Sequence, residues 1–222
     1  GVTTVALSIT VIDVYDFLVN QSLNDANQAS LELIISHAED GGLIEINNSL
    51  SGETLNVTTP FYIDRNITIK AINAGTLTFE AGAISNHFII SSSGSLTLEG
   101  VDLLNGSAST QGGSIFNEGN LILKKVNFLN NTSQNGGAIY NNGNLKIEQS
   151  AFVDNNATQN GGAIYNNGIL SILNSTITQN TALDGGGIYA NSGDVNISHS
   201  TIVNNNSGDP IQDVTVNLTG SP

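Results

Sequence analysis

From Gly112 onward the chain repeats itself, and no other feature of the sequence restricts the fold so tightly. The block GGSIFNEGNLILKKVNFLNN at Gly112 returns as GGAIYNNGNLKIEQSAFVDNN at Gly136, as GGAIYNNGILSILNSTITQN at Gly161 and as GGGIYANSGDVNISHSTIVNNN at Gly185. A period of about 24 to 25 residues defines a solenoid unit, which buries its apolar face only against its neighbours. The 222 residues therefore read as one elongated body rather than as separate globular domains.

Aligned on the repeat, the apolar residues fall into columns. Ile115, Ile139, Ile164 and Ile188 form one, and Leu121, Leu145, Leu170 and Val195 the next. Leu123, Ile147, Ile172 and Ile197 follow, then Phe128, Phe152, Ile177 and Ile202. Within a unit the alternation is that of strands, with variable residues such as Ile122, Lys146, Ser171 and Asn196 on the outward face. Helical repeats of this length need longer amphipathic segments, which Asn142-Gly143 and Asn167-Gly168 would break. The expected fold is all-β, a right-handed parallel β-helix with a short N-terminal capping helix, each coil climbing about 4.8 Å.

The corners repeat too. Gly119, Gly143, Gly168 and Gly193 recur at the first corner, where a positive φ is cheapest for glycine. Asn131, Asn155, Asn180 and Asn205 follow the Phe or Ile column by three residues and read as a structural corner ladder, each amide bonding to its neighbour and to turn carbonyls. Ser150, Ser175 and Ser200 look like a similar inward stack.

Upstream the pattern divides into segments. Residues 1–20 contain a long alternating stretch from Val2 to Phe17, with Val5, Leu7, Ile9 and Val11 on one face, expected as a strand extension outside the coils. Residues 21–42 carry Leu31, Ile34, Ile35 and Ala38 at the spacing of one helix face, stopped at Gly41-Gly42, and are expected to cap the first coil. Residues 43–222 form the β-helix.

Composition excludes several function classes. Five basic residues against nineteen acidic, a net charge of -14, work against nucleic acid and anionic membrane surfaces, because phosphates are bound mainly by Lys and Arg. No apolar run is long enough to span a bilayer as a helix. The absence of cysteine removes disulfides and thiolate metal sites, so stability rests on packing and backbone hydrogen bonds. The absence of methionine and the opening Gly1 read as a processed form or a fragment.

The pairing of a GGAI motif, Gly136 to Ile139, with an FxxN motif, Phe152 to Asn155, resembles the repeats of chlamydial polymorphic membrane proteins. It is also similar to the adhesin-like β-helix proteins of methanogenic archaea and to large bacterial surface proteins with GGGIYN repeats. The segment Ser22 to Ile46, a short helix followed by DGGLIEI, is similar to the cap such proteins place before the first coil. The resemblance implies a secreted, extracellular cell-surface role in adhesion or envelope structure.

Signs of chemistry are sparse. A glycosidase needs two carboxylates facing one cleft about 5 to 10 Å apart, whereas Glu99, Asp102, Glu118, Glu148 and Asp154 fall in different columns or at turns. Arg65 is the only arginine, which disfavours a lyase site built from a base beside calcium-binding acids. His37, His87 and His199 share no column and are expected on the surface or in the cap. Gly185-Gly186-Gly187 continues into Ile188-Tyr189 rather than into a calcium-binding nonapeptide. No catalytic residues, no metal site and no cofactor are expected.

Two outward features remain. Phe116, Tyr140, Tyr165 and Tyr189 follow the inward isoleucine column by one residue and form an outward aromatic ladder, read either as a self-stacked stripe or as a carbohydrate-contacting one. A dense set of N-x-S/T sequences includes Asn66, Asn130, Asn156, Asn174, Asn196 and Asn205 as candidate glycan-bearing positions of a glycoprotein. The function expected is a non-catalytic surface protein, adhesin-like or structural. An alternative is a self-assembling filament or sheath subunit whose N-terminal strand pairs with a neighbour. A carbohydrate-binding or carbohydrate-active β-helix stands third. The partners expected are other copies of the chain, making a homo-oligomer, or cell-surface glycans.

Overall fold

Runs of three to five residues between glycine and asparagine corners are too short for helices and suit brief strands, as Asn144–Glu148, Ala151–Val153 and Ile164–Asn166 show within one turn. The computed structural model describes residues 9–13, 16–19, 26–46, 50–71, 77–207, 211–212 and 216–219. Each strand of a turn pairs in parallel with its counterpart in the next turn. Leu121, Leu145, Leu170 and Val195 are successive register partners, as are Phe128, Phe152, Ile177 and Ile202 and the isoleucines 115, 139, 164 and 188. The strands collect into one ten-stranded sheet, two seven-stranded sheets and a two-stranded sheet of Thr132–Asn135 with Asn156–Asn160. The result is an all-β parallel solenoid of about six turns with a single short helix at its N-terminal end.

The in-register columns make the core. Leu145 and Ile147 are buried while Lys146 between them is exposed, and the same alternation holds in the turns on either side. Phe128 and Phe152 stack with ring centroids 4.5 Å apart and planes 4° apart. Phe61, Phe79 and Phe88 fill the lower turns at centroid distances of 5.3 to 6.1 Å. Each buried Leu, Ile or Phe contributes about 2 kcal/mol of apolar burial, repeated rung by rung.

The N-terminal cap forms where its apolar stripe predicts. Helix α1 (Ala26–His37) lays Leu31, Ile34 and Ile35, together with Ala38, over the open end of the first turn, and all four are buried. Gln28 ties it down by donating to Thr59 and accepting the Thr58 N–H. At the other end Arg65 donates to the Ala38 and Ser36 carbonyls at 3.1 and 3.4 Å, placing a cation where the helix dipole is negative.

The expected single strand from Val2 to Phe17 is corrected where it is described. It is two strands, β1 (Ile9–Asp13) and β2 (Asp16–Val19), paired antiparallel. Strand β2 then pairs in parallel with β3 (Gly42–Ile46) of the same chain, so both edges of β2 are occupied internally. Residues 1–8, 14–15 and 20–25 of the two N-terminal segments lie outside the described residues.

The corner glycines need a different explanation from the one their position suggests. Of the four first-corner glycines only Gly193 has a positive φ, +84°. Gly119, Gly143 and Gly168 are required by close approach: a Cβ on any of them would drive into the carbonyl of the neighbouring turn. Left-handed backbone is placed instead on the first glycine of each GG pair, Gly112, Gly136, Gly161 and Gly185, with φ between 59° and 68°, and on non-glycine residues in two further columns. Lys125, Gln149, Asn174 and His199 form one, with φ between 49° and 54°; Asn105, Asn130, Asp154, Gln179 and Asn204 form the other.

Candidate functional site

The isoleucine strands position the outward aromatics. In Ile139–Asn141 the isoleucine turns inward, so the following residue stands on the outer face, and register fixes Phe116, Tyr140, Tyr165 and Tyr189 one above another. The stack is closest at Tyr140–Tyr165, with centroids 4.6 Å apart and planes 8° apart, and loosens to 5.3 Å at Tyr189 and 5.7 Å at Phe116. Tyr140 is only 8% exposed, and its hydroxyl accepts from Asn167 Nδ2 at 3.0 Å. Burial, reinforced by the phenols on both sides, raises the pKa of the Tyr165 hydroxyl. The tyrosine faces are therefore occupied by one another, as in the self-stacked stripe; their edges remain outward.

The same strands carry a second asparagine ladder inside the solenoid. Asn117, Asn141 and Asn166 are fully buried, Asn117 Nδ2 donating to Asn141 Oδ1 at 2.7 Å and Asn141 Nδ2 to Asn166 Oδ1 at 2.6 Å. The signal was present as IFN, IYN and IYN at fixed offset, and it breaks at Ala190.

The corner ladder is a scaffold. Asn131, Asn155 and Asn180 are fully buried, and each side-chain oxygen accepts from the turn below, Asn131 Oδ1 from Gly106 N at 2.8 Å. Each Nδ2 also donates to a core carbonyl, of Leu103, Phe128 and Phe152 respectively. Ser150, Ser175 and Ser200 bond in the same way, each hydroxyl accepting a backbone N–H from the turn below at 3.1 Å. Among the described residues no buried side-chain nitrogen or oxygen lacks a partner.

Glu99 and Glu148, expected in different columns, share one, with Lys124 between them. That column continues downward through Lys70 to Glu45, so signs alternate along five rungs of the outer face. Lys70 lies 3.8 Å from Glu99, and Lys146 of the adjacent column lies 2.6 Å from Glu148. Asp102 accepts from Asn127 Nδ2 at 2.6 Å on another sheet, and Glu118 and Asp154 are exposed at turns. Among the described residues no group of three or more His, Cys, Asp or Glu could hold a metal.

The histidine expectation is corrected at His87. His37 and His199 are exposed, but His87 is fully buried, with Nε2 2.9 Å from the Phe79 carbonyl and Nδ1 3.0 Å from Ser114 Oγ. A carbonyl only accepts, so Nε2 carries the hydrogen and Ser114 donates to Nδ1. Burial lowers the ring's pKa to about 4. His87 closes the lower end of the corner ladder beside Gly106, a glycine whose Cβ would strike His87 and Asn131.

Of the candidate glycan positions, Asn66, Asn130, Asn156, Asn174 and Asn196 are exposed. Asn130 and Asn174 stand at left-handed corners, with φ of 54° and 50°. Asn205 is partly buried, and its amide is engaged in the corner ladder, donating to the Ile177 carbonyl at 3.0 Å and accepting from Asn180.

The Chlamydia polymorphic membrane protein repeat matches the chain three times, at residues 125–142, 149–167 and 174–191. The matches lie in consecutive turns and span the left-handed corners, the FxxN rung and the GG–IY strand. The chain is therefore similar to these proteins in its repeat and in its β-helix architecture. No curated protein matches the chain. Among the described residues no helix is long and apolar enough to cross a membrane.

Proposed function

We propose that this chain is a non-catalytic protein of the cell surface, adhesin-like or structural, which presents the outer faces of a rigid β-helix to partners. The observation that carries the reading is the triple match to the polymorphic membrane protein repeat on consecutive turns of a β-solenoid. The interior supports it: the columns of Ile, Leu, Phe, Asn and Ser are fully engaged in holding turn against turn, leaving variation to the outer face. Secretion and an extracellular position belong to the same proposal, with cell-surface glycans or further copies of the chain as partners.

The test is adhesion itself. Beads coated with the purified chain should bind cells of the host or community in which the producing organism lives, and soluble chain added in excess should compete. Beads that adhere no better than beads carrying a β-helix of unrelated sequence would remove the adhesive reading.

A further inference from the structure

The two-stranded sheet is an extra rung that the lower turns lack, and a pocket opens where it begins. Loop segments Ser107 to Gln111, Thr132 to Asn135, Asn156 to Asn160 and Thr181 to Asp184 stack through parallel bridges. Among the described residues the lowest of them, Ser107 to Gln111, has no such bridge beneath it. Below it the chain passes from Ser85 to His87 through Asn86 alone, whereas the upper turn uses residues 108–113, because Ser107 N bonds to Ser85 O at 2.8 Å and His87 N to Ser114 O at 2.7 Å. The difference leaves an open pocket of about 400 Å³.

This pocket sits where the aromatic ladder ends. It is lined by Ile89 and Phe116 on the sheet side and by Asn86, Ser109, Thr110 and Gln111 among its polar walls. Tyr140 covers Phe116 from the turn above, Ile89 is its register partner in the turn below, and Phe116 and Ile89 both line the pocket. Phe116 is thus the lower end ring of the ladder, with one side not taken by another aromatic. The loop is held in place from above by Ala108 N to Thr132 O at 3.1 Å and Asn135 N to Thr110 O at 3.0 Å, and at its base by Asn86 Nδ2 donating to the Gly112 carbonyl. The side chains of Ser109, Thr110 and Gln111 have no hydrogen-bond partner among the described residues. Among the described residues no Asp, Glu, Lys or Arg lines the pocket, in a chain of net charge -14.

We propose that this pocket binds one neutral sugar ring, the terminal residue of a glycan, with its apolar face on Phe116 and its hydroxyls on Asn86, Ser109, Thr110 and Gln111. An aromatic wall opposite uncharged hydroxyl and amide groups matches a pyranose, which has a C–H face and a rim of donors and acceptors. The proposal deepens the surface-contact reading and rests on it for its biological role only.

The experiment is saturation-transfer NMR on the full chain with the methyl glycosides of galactose, mannose and N-acetylglucosamine, and sialic acid as anionic control. Transfer to at least one neutral glycoside with a dissociation constant on the order of millimolar is expected. Phe116→Ala should weaken it about tenfold, and Ser109→Trp, which fills the pocket from an exposed loop position, should abolish it. Tyr189→Ala at the far end of the ladder should leave it unchanged. No transfer to any neutral glycoside, or transfer undiminished in Ser109→Trp, would overturn the site; Ser109→Trp decides should Phe116→Ala fail to fold. Sugar binding in solution is independent of where the protein resides, so failure of the surface reading would leave this result standing.

Discussion

The backbone N–H and the side-chain Nδ2 of Asn155 both donate to one atom, Asn180 Oδ1, at 2.9 Å each. A single carbonyl oxygen thereby fixes the next turn in height and in rotation. Asn155 in turn accepts the same pair of bonds from Asn131, and its Nδ2 satisfies the Phe128 carbonyl. The ladder is the register device of the solenoid.

Replacing Asn155 tests it. Asn155→Ala leaves two donors of Asn131 buried without the oxygen they share and removes the side-chain bond to the Phe128 carbonyl, at a cost of about 3 kcal/mol. Asn155→Asp keeps the shape but turns an oxygen toward the Phe128 carbonyl and Asn180 Oδ1, so it should cost at least as much at pH 7. Urea unfolding midpoints compare the two; an Asp variant as stable as the parent would show that shape alone holds the corner.

Gly143→Ala should destabilise the fold by about 3 kcal/mol, because the new methyl meets the backbone carbonyl of Gly119, which cannot rotate away. Gly52 has a φ of +78° and open space around it, so Gly52→Ala should cost only about 1 kcal/mol. Equal thermal shifts for both variants would contradict the close-approach explanation.

His87 gives the fold an acid-sensitive element. The ring is held neutral in the folded chain down to about pH 4 and takes a proton near pH 6.5 once unfolded. Protons therefore favour the unfolded chain as pH falls between those values, and the contribution is complete above about pH 6.5. The stability difference between the parent and His87→Ala should shrink by about 3 kcal/mol from pH 7.5 to pH 4. A difference independent of pH would mean that the ring is not buried neutral.

The alternating charge column makes a further prediction. In the Lys124→Glu variant three carboxylates become consecutive rungs, Glu99, position 124 and Glu148, replacing two attractive neighbours with two repulsive ones. Stability should drop by about 2 kcal/mol at low salt, and much of the loss should return at about 1 M salt. A loss that salt does not relieve would point to packing by the lysine stem instead.

What the sequence revealed, and what it hid, follows from periodicity. The isoleucine, leucine and phenylalanine columns, the tyrosine stripe and the corner asparagines repeat the same residue at one offset, so alignment alone placed them. His87 is the odd member of its column: one residue before Phe88, it lines up with the small buried residues Ser114, Ala138 and Ala163, and a histidine among them does not look like part of a column. The charge column was hidden because Glu99, Lys124 and Glu148 alternate in sign, and a column of unlike residues does not look like one. The first-corner glycines were placed correctly but for another reason, since sequence offset reports a corner and not the carbonyl that presses on it. The β1–β2 hairpin was missed because the alternation runs on through Val11 to Phe17 without a Gly or Pro to mark a turn. The pocket beside Phe116 arises from a difference in loop length between two turns, which becomes visible only when His87 and Ser114 are known to be bonded neighbours.

The most direct test of the account is surface labelling of intact cells that produce the protein, using an antibody raised against the purified chain. Labelling of unpermeabilised cells, and its loss after brief external proteolysis, is the predicted result. Labelling that appears only after the cells are permeabilised would contradict a role at the cell surface.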